Sequence, residues 1–378
     1  MIKWLFKYGA VILLLNTIFL SIESTYNLGN QIFYVLMVIF SLMLLINPLQ
    51  IKKVIFHKSF MFLLLINVLN LLYFILFHNI NDIEAAKYLL ARGIQYSLIA
   101  FSIYYNFEYF KSSFLKHIVY AIMLVIFIGF IFNPNIFSGR YSGIIWNPNM
   151  LSSFVVIAFA IYFLKYEKRG KFDYGVLVTL LIIALATGSR GSLVGLFLVF
   201  LIKYGFSFRN LSYGVIAIVI TLIITSVNLE TSLNRFSEQS ILNDRLLQFE
   251  YAIKSIESKM YVGAGLDKYS YIDKSLVPKH LRSQIIGAHN GYLSILTQYG
   301  VLFGGIILLI ILSKSYQLYF TFKRFKTYER IYLFIILYTL LAAIYESLMT
   351  GINEFNTILF WLALAMLSYS KFVKEHES

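Results

Sequence analysis

Long apolar runs, separated by short polar segments, alternate along the whole chain. Most of these runs approach the roughly 20 residues that an α-helix needs to cross the hydrocarbon core of a bilayer. The pattern predicts twelve transmembrane helices, with these approximate bounds: 4–22, 31–47, 60–77, 88–107, 118–132, 150–166, 173–187, 191–204, 211–228, 290–313, 331–350 and 354–370. We therefore expect an all-α, polytopic integral membrane protein.

The composition excludes several other classes of protein. Of the 378 residues, 59% are hydrophobic and 13% are charged, whereas a soluble domain averages about 45–50% apolar and about 25% charged residues. So much apolar surface cannot be covered in one globular core, which excludes a soluble enzyme, a disordered chain and a fibrous repeat. The chain has no cysteine, so a disulfide framework and a thiolate metal site are also excluded.

One long hydrophilic stretch, residues 229–288, interrupts the apolar pattern. This loop divides the chain into three parts. The first membrane part, residues 1–228, contains helices 1–9; the loop follows; and the second membrane part, residues 289–378, contains helices 10–12. Apolar residues recur in the loop at helical spacing: Leu242, Leu246, Phe249, Ile253 and Ile256. They predict an amphipathic helix that starts near Asn243 or Asp244 and packs its apolar stripe onto the membrane domain.

Basic residues set the expected orientation. With Lys3 and Lys7 in the cytoplasm, the segments on that side carry the whole formal net charge of +14, as expected for cytoplasmic loops. This assignment accounts for the high pI without a nucleic-acid partner. It places both termini of this multi-pass membrane protein in the cytoplasm and residues 229–288 outside.

Arginines are enriched on the predicted outer side. Six of the ten arginines lie there, namely Arg92, Arg140, Arg190, Arg235, Arg245 and Arg282. The guanidinium group binds phosphate or carboxylate with two parallel hydrogen bonds, which lysine cannot do. The enrichment indicates an anion-binding site on the outer face.

Two short loops carry the strongest candidates among these arginines. Arg140 lies in a turn-rich segment, 133–149, which ends in Asn149 at the start of the sixth span, where this asparagine could cap the helix. Arg190 lies between two short apolar runs that form either a tight helical hairpin or a re-entrant pair. A charged residue at or near the depth of the membrane is usually functional. The alternatives are that Arg140 is only a solvated loop residue and that the side chain of Arg190 only reaches the lipid headgroups.

The long loop adds two candidates near its ends. Arg245 lies in the first turn of the predicted loop helix, where it is either a ligand or a solvated residue. His289 stands at the start of the tenth span, followed by Asn290, and imidazole exchanges protons near neutral pH; the alternative is an interfacial polar residue. Glu346 and Glu354 are weaker candidates, as partners of the arginines. We find no Asp-x-Asp pair, no phosphate-binding loop and no His-x-x-x-His helix, and predict no metal or cofactor.

Four of these segments together resemble the bacterial O-antigen ligase and O-antigen polymerase (Wzy-type) superfamily. The matching residues are Gly139-Arg140-Tyr141-Ser142-Gly143 with Asn147-Pro148-Asn149, Gly188-Ser189-Arg190-Gly191, Arg245 with Gly263-Ala264-Gly265, and His289-Asn290-Gly291-Tyr292-Leu293 with Gly300. The resemblance covers about residues 133–310. No single segment is specific, but their order and their shared outer position are.

The resemblance implies a membrane glycosyltransferase that takes sugar from undecaprenyl pyrophosphate. Arg140, Arg190 and Arg245 would bind the pyrophosphate, His289 would activate the acceptor hydroxyl, and Asn149 and Asn290 would support them. Implied partners are the lipid-linked oligosaccharide donor, a glycan acceptor, membrane lipids and a chain-length regulator, without nucleic acid. We expect a polymerase of surface polysaccharide; a ligase that transfers O-antigen to lipid A-core, and a lipid-glycan flippase, are the alternatives.

Overall fold

The computed structural model describes residues 2–136, 139–165, 170–205, 207–216, 240–324 and 328–377. The fold is all-helical, with 78% helix and no strand among these residues. In chain order the α-helices are α1 Ile2–Leu20, α2 Tyr26–Ile46, α3 Pro48–Ile55, α4 Met61–Phe77, α5 Ile83–Ser112, α6 Phe114–Phe132, α7 Pro148–Leu164, α8 Lys171–Ala186, α9 Arg190–Tyr204, α10 208–216, α11 Ser240–Ser258, α12 Gly291–Phe322, α13 Glu329–Ala342 and α14 Phe355–Glu377.

Within the described ranges, six segments are long and apolar enough to cross a membrane. They are Lys3–Leu20, Glu23–Ile46, Lys58–Phe77, Phe114–Phe132, Gly291–Phe322 and Phe355–His376. This confirms a helical, polytopic membrane protein, while the number of twelve spans stays a prediction. The ninth predicted span, 211–228, overlaps α10, and its residues 217–228 lie outside the described part of the chain.

The central helix of the bundle is α14. Its residues from Ile358 to Leu367 are at most 1% exposed, and it packs against α1, α5, α12 and α13. A helix that is apolar on all sides is buried among other helices, because no face of it can meet water. The α14 helix thus provides the core against which the segment that precedes it, residues 343–354, is held.

The eleventh predicted span ends earlier than the sequence pattern suggested. Helix α13 stops at Ala342, and residues 343–354 form a non-helical segment instead of continuing to residue 350. Side chains from other segments of the chain bind its carbonyl groups: Asn290 Nδ2 donates to Ile344 O at 2.9 Å, Tyr269 Oη to Ser347 O, Trp361 Nε1 to Met349 O at 2.8 Å, and Arg92 to Thr350 O and Gly351 O. Irregular backbone is tolerated inside a membrane protein where protein groups satisfy it in this way.

A second irregular feature is the kink of α12 at Gly300, whose φ is +70°. Residues 260–265 run alongside the kink and form backbone hydrogen bonds with it: Ala264 N to Thr297 O at 2.8 Å, Gly265 N to Gln298 O at 3.0 Å and Val301 N to Met260 O at 2.8 Å. A Cβ on Gly263 would lie 2.4 Å from the backbone nitrogen of Gly300. The Gly263-Ala264-Gly265 segment is therefore explained by close backbone packing.

The loop helix α11 exists, but the predicted packing of its apolar stripe is wrong. Leu246 and Ile253 are 55% and 47% exposed, whereas Tyr251 and Ala252 on another face are buried. The buried face packs in a small separate core with Ile272, Val277, Ile285 and Ala288. Most of the apolar partners of this face come from the loop itself, while Leu293 of α12 also packs against the same small core. The side chain of Leu242 lies outside the described residues.

Candidate functional site

Two neighbouring cavities open beside the segment 343–354. The larger has a volume of about 490 Å³ and the smaller of about 210 Å³. Five residues belong to the lining of both cavities, and we call them the shared wall: Asn149, Ser189, Gly191, Tyr345 and Glu346. A group bound in one cavity would therefore lie next to a group bound in the other.

Three of the predicted arginines line the smaller cavity. Arg140 comes from the segment between α6 and α7, Arg190 from the first turn of α9, and Arg245 from α11. The fold brings together side chains that are far apart in sequence, so the smaller cavity has a strongly cationic lining. Such a lining suits a ligand that carries more than one negative charge.

The position of Arg140 is fixed by the end of α8. The backbone nitrogen of Tyr141 donates to Ala186 O at 3.0 Å, and Arg140 Nε donates to Thr187 O at 3.2 Å. Gly143 has a φ of +60°, and a Cβ there would lie 3.3 Å from the Cα of Gly129 in α6. The glycine is required by this close approach between two backbones.

Asn149 has a different role from the predicted helix cap. The N-cap of α7 is Asn147, whose side chain accepts a hydrogen bond from Asn149 N at 2.8 Å, and Pro148 occupies the first turn. Because Asn147 caps the helix, the amide of Asn149 can bridge two charged residues. Its Oδ1 accepts from Arg140 Nη2 at 2.5 Å and its Nδ2 donates to Glu346 Oε1 at 3.2 Å.

Arg190 begins α9 directly after a tight turn. Gly188, with a φ of +58°, ends α8, and Ser189 is the N-cap of α9, so α8 and α9 form a helical hairpin. A Cβ on Gly191 would lie 3.0 Å from the hydroxyl oxygen of Tyr345. The two glycines thus allow the turn and the close contact that place Arg190 beside the segment 343–354.

Glu346 connects the candidate residues. Its Oε1 accepts hydrogen bonds from Asn149 Nδ2 at 3.2 Å and from Arg245 Nη2 at 3.1 Å, and its Oε2 lies 3.8 Å from His289 Nδ1. Burial raises the pKa of Glu346, but the neighbouring His289 and Arg245 outweigh it and hold the pKa below its usual range. The carboxylate is therefore charged at neutral pH. The sequence indicated Glu346 only weakly, because it lay inside a predicted span.

His289 lines the larger cavity in a backbone conformation that is rare for its type. Its φ is +41°, in the left-handed region that non-glycine residues seldom occupy. The residues on either side are held: Ala288 N donates to Ser270 O at 3.2 Å and to Ser270 Oγ at 3.0 Å, and Gly291 N donates to Ala343 O at 2.7 Å. The surrounding bonds thus impose the conformation that directs the imidazole toward Glu346.

Asn290 is the N-cap of α12. Its Oδ1 accepts from Leu293 N at 2.9 Å and its Nδ2 donates to Ile344 O at 2.9 Å. The side chain therefore ties the start of α12 to the segment that carries Glu346. It supports the position of His289 and lines neither cavity.

Arg245 retains hydrogen-bonding capacity. Its Nη1 is buried and has no hydrogen-bond partner within the described ranges, while its Nη2 binds Glu346. Buried polar groups are normally satisfied by protein groups, ordered water or ions. An anion in the smaller cavity would supply the acceptor.

Two of the other predicted outer arginines, Arg92 and Arg282, line neither cavity. Arg92 is buried within the helix bundle, Arg282 donates from Nε to Val277 O at 3.0 Å in the loop, and Arg235 lies outside the described residues. No cluster of three or more His, Asp and Glu side chains in the described part of the chain could hold a metal ion. The chemistry available at the shared wall is thus anion binding by guanidinium groups next to an imidazole.

Comparison with known proteins adds one match. No curated protein matches the chain. A family model described as O-antigen ligase matches residues 175–310, the part of the chain that contains Arg190, Arg245 and His289. This match supports the O-antigen ligase and polymerase superfamily of membrane glycosyltransferases, and it confirms the resemblance found in the sequence.

Proposed function

We propose that the protein polymerises oligosaccharide units, each linked to undecaprenyl pyrophosphate, into a surface polysaccharide on the extracytoplasmic side of the inner membrane. One observation carries the proposal: three arginines line one cavity, and a histidine lines the cavity that shares a wall with it. A glycosyl transfer from a pyrophosphate needs both functions side by side. The family match favours this class of reaction.

In this proposal the smaller cavity holds the pyrophosphate of the donor. Arg140, Arg190 and Arg245 would donate to its phosphate oxygens through paired N–H groups. The first turn of α9 adds backbone N–H groups at a helix N-terminus, which favour negative charge. The unsatisfied Nη1 of Arg245 would gain an acceptor in the same step.

The reaction assigns a role to each cavity. A hydroxyl of the acceptor sugar attacks the anomeric carbon of the donor, a new glycosidic C–O bond forms, and the bond from that carbon to the pyrophosphate breaks. The electron pair of the broken bond leaves with the pyrophosphate, where the arginines stabilise the developing charge. His289 takes the proton of the attacking hydroxyl. The donor's own phosphate ester supplies the driving force, so no further cofactor is required.

The test replaces arginine by lysine. Arg140→Lys and Arg190→Lys keep the charge but lose the planar pair of donors, and each lost charge-assisted contact is worth about 1.5–3 kcal/mol. At about 1.4 kcal/mol per decade, we expect polymerisation to fall roughly tenfold to hundredfold. Long chains should disappear from a gel of surface polysaccharide in a strain that lacks the native gene.

Controls separate loss of activity from loss of protein. Arg282→Lys, in a residue that lines neither cavity, should leave the polysaccharide ladder unchanged. His289→Ala should abolish transfer while lipid-linked donor still binds. All variants are compared at equal amounts in the membrane fraction. Full-length ladders from both Arg→Lys variants would contradict the pyrophosphate site and favour a lipid-glycan flippase.

A ligase is the second candidate, since the matching family is described as O-antigen ligase. It would use the same donor but transfer the finished glycan to lipid A-core. Purified protein given the lipid-linked donor alone distinguishes the two functions. A polymerase lengthens the lipid-linked glycan, whereas a ligase leaves its length unchanged until lipid A-core is added.

A further inference from the structure

We propose that the larger cavity is the binding site for the acceptor glycan, an uncharged stretch of sugar whose hydroxyl groups are recognised by asparagine, serine and tyrosine side chains. The inference rests on the proposed transferase function, because an acceptor exists only if sugar is transferred. It goes beyond that function by assigning a second substrate site and the side chains that line it.

The lining of the two cavities differs in charge. Beyond the shared wall, the smaller cavity contains Arg140, Arg190 and Arg245, whereas no lysine or arginine lines the larger one. Its polar lining includes Asn147, Ser153, Tyr269, Asn353 and Asn356. Amide and hydroxyl groups both donate and accept hydrogen bonds, as the hydroxyl groups of sugars require. A volume of about 490 Å³ lies within the usual range of about 300–1,000 Å³ for ligand pockets.

Two polar atoms of this lining have no partner. Asn356 Oδ1 and Tyr345 Oη are buried, and neither forms a hydrogen bond with the residues that the structure describes. Asn356 lines only the larger cavity, while Tyr345 belongs to the shared wall. Buried polar atoms are costly when unpaired, so these two residues keep unused hydrogen-bonding capacity beside the cavity.

Backbone strain is concentrated around the same cavity. In the described part of the chain, four residues other than glycine have a φ in the left-handed region: Ser270, His289, Met349 and Asn353. Three of them, Ser270, His289 and Asn353, line the larger cavity. Strained residues persist where the surrounding structure imposes them, and they cluster at binding and active sites.

Glu354 adds a carboxyl group to this lining. Its Oε2 accepts a hydrogen bond from Thr357 Oγ1 at 2.9 Å. Burial raises the pKa of Glu354 to about 7, so near neutral pH the group is partly protonated and can donate as well as accept. Glu354 therefore adds a group that can exchange hydrogen bonds with a sugar hydroxyl in either direction.

The shared wall relates the two sites. Asn149, Tyr345 and Glu346 separate an arginine-lined cavity from one lined by His289. An acceptor hydroxyl in the larger cavity can reach His289 and, across the wall, the sugar attached to the donor pyrophosphate. This arrangement keeps the acceptor away from the arginines, which would otherwise bind the pyrophosphate of the acceptor lipid.

The experiment measures acceptor and donor separately. Purified protein receives the lipid-linked oligosaccharide as donor and the same oligosaccharide without its lipid pyrophosphate, which can serve only as acceptor. A neutral hydrogen bond contributes about 0.5–1.5 kcal/mol. We therefore expect Asn356→Ala to raise the KM for the free oligosaccharide about twofold to tenfold, with the KM for the donor unchanged.

Two further variants complete the test. Asn79→Ala makes the same chemical change at a residue that lines neither cavity, and should leave both KM values unchanged. Ser153→Phe places a ring in the larger cavity and should reduce acceptor use more strongly than Asn356→Ala does. Arg190→Lys should show the reverse selectivity, with the donor KM raised and the acceptor KM unchanged.

The outcomes are distinguishable. If wild-type protein transfers no sugar from the lipid-linked donor to any acceptor, the proposed function itself fails. If wild-type protein transfers sugar but Asn356→Ala and Ser153→Phe leave the acceptor KM unchanged, only the assignment of the larger cavity fails. Melting temperatures in detergent identify any variant that is not folded. If either Asn356→Ala or Ser153→Phe is not folded, the acceptor KM of the other variant tests the assignment.

Discussion

Arg92 inside the helix bundle and Arg245 of the smaller cavity differ in how far their hydrogen-bond donors are satisfied by the protein. Arg92 is 1% exposed, and its guanidinium donates to Thr350 O, to Gly351 O at 3.3 Å and to Gln95 Oε1 at 3.2 Å. It holds the backbone of the segment 343–354 from inside the bundle. Arg245 binds a carboxylate on the other side of that segment and keeps one buried nitrogen without a partner. Whether an arginine has donors available for a ligand thus depends on the acceptors already around it.

The largest effect that tests this comparison is expected at Arg92. Arg92→Lys has one point of donation instead of a fork, so carbonyl groups of the segment lose their donor at a cost of about 1–3 kcal/mol each. We expect a clear fall in melting temperature in detergent and a smaller amount of protein in the membrane. Arg190→Lys should melt like wild type and lose activity. Equal melting temperatures for Arg92→Lys and wild type would contradict the structural role.

A smaller effect is expected from Glu346→Gln, which removes the charged partner of Arg245. Since the pKa of Glu346 lies below its usual range, its contribution to stability is present at neutral pH and is lost as the pH falls through that lowered pKa. Wild type should therefore melt higher than Glu346→Gln at pH 7, and the difference should shrink below about pH 4. A difference that is constant from pH 7 to pH 3 would show that the charge of Glu346 is irrelevant.

An effect of opposite sign is expected from Glu354→Gln. Burial raises the pKa of Glu354 to about 7, so ionisation of this carboxyl group costs stability as the pH rises from about 4.3, its ordinary pKa, through 7. The glutamine variant cannot ionise. We expect it to melt like wild type near pH 5 and slightly higher than wild type at pH 8. A variant that melts lower at pH 8 would contradict the assigned direction.

The sequence predicted those parts of the fold and site that depend on local pattern. The apolar runs predicted the helical membrane protein, and the glycine pairs around Arg140 and Arg190 marked turns that place these side chains on one cavity. His289 was marked by its position before a span, and the structure places it 3.8 Å from Glu346. Local signals sufficed because Arg140 lies in a glycine-flanked turn, while Arg190 and His289 lie at or just before the start of a helix.

What the sequence could not predict depends on contacts between distant segments. Helix α13 ends at Ala342 because side chains as remote as Arg92 and Trp361 bind the carbonyl groups that follow. Glu346 therefore appeared to belong to a span, although it joins the candidate site. Asn149 was predicted to be a cap because it directly precedes the predicted span 150–166, whereas the helix begins two residues earlier, at Pro148, and is capped by Asn147. The buried face of α11 was misassigned, since its partners, such as Ile272, come from elsewhere in the loop.

The three backbone hydrogen bonds between residues 260–265 and the kink at Gly300 have a practical consequence for anyone who divides this chain. They join the end of the loop to α12 by main-chain atoms, with Gly263 and Gly300 too close for any side chain. In a separately expressed loop, these backbone donors and acceptors would be exposed, and they would be free to pair with other chains, which favours aggregation. Conversely, a protease cut between residues 265 and 289 would leave both new ends attached to the membrane domain. Gel filtration would still show one particle after such a cut, and only denaturation would separate the fragments.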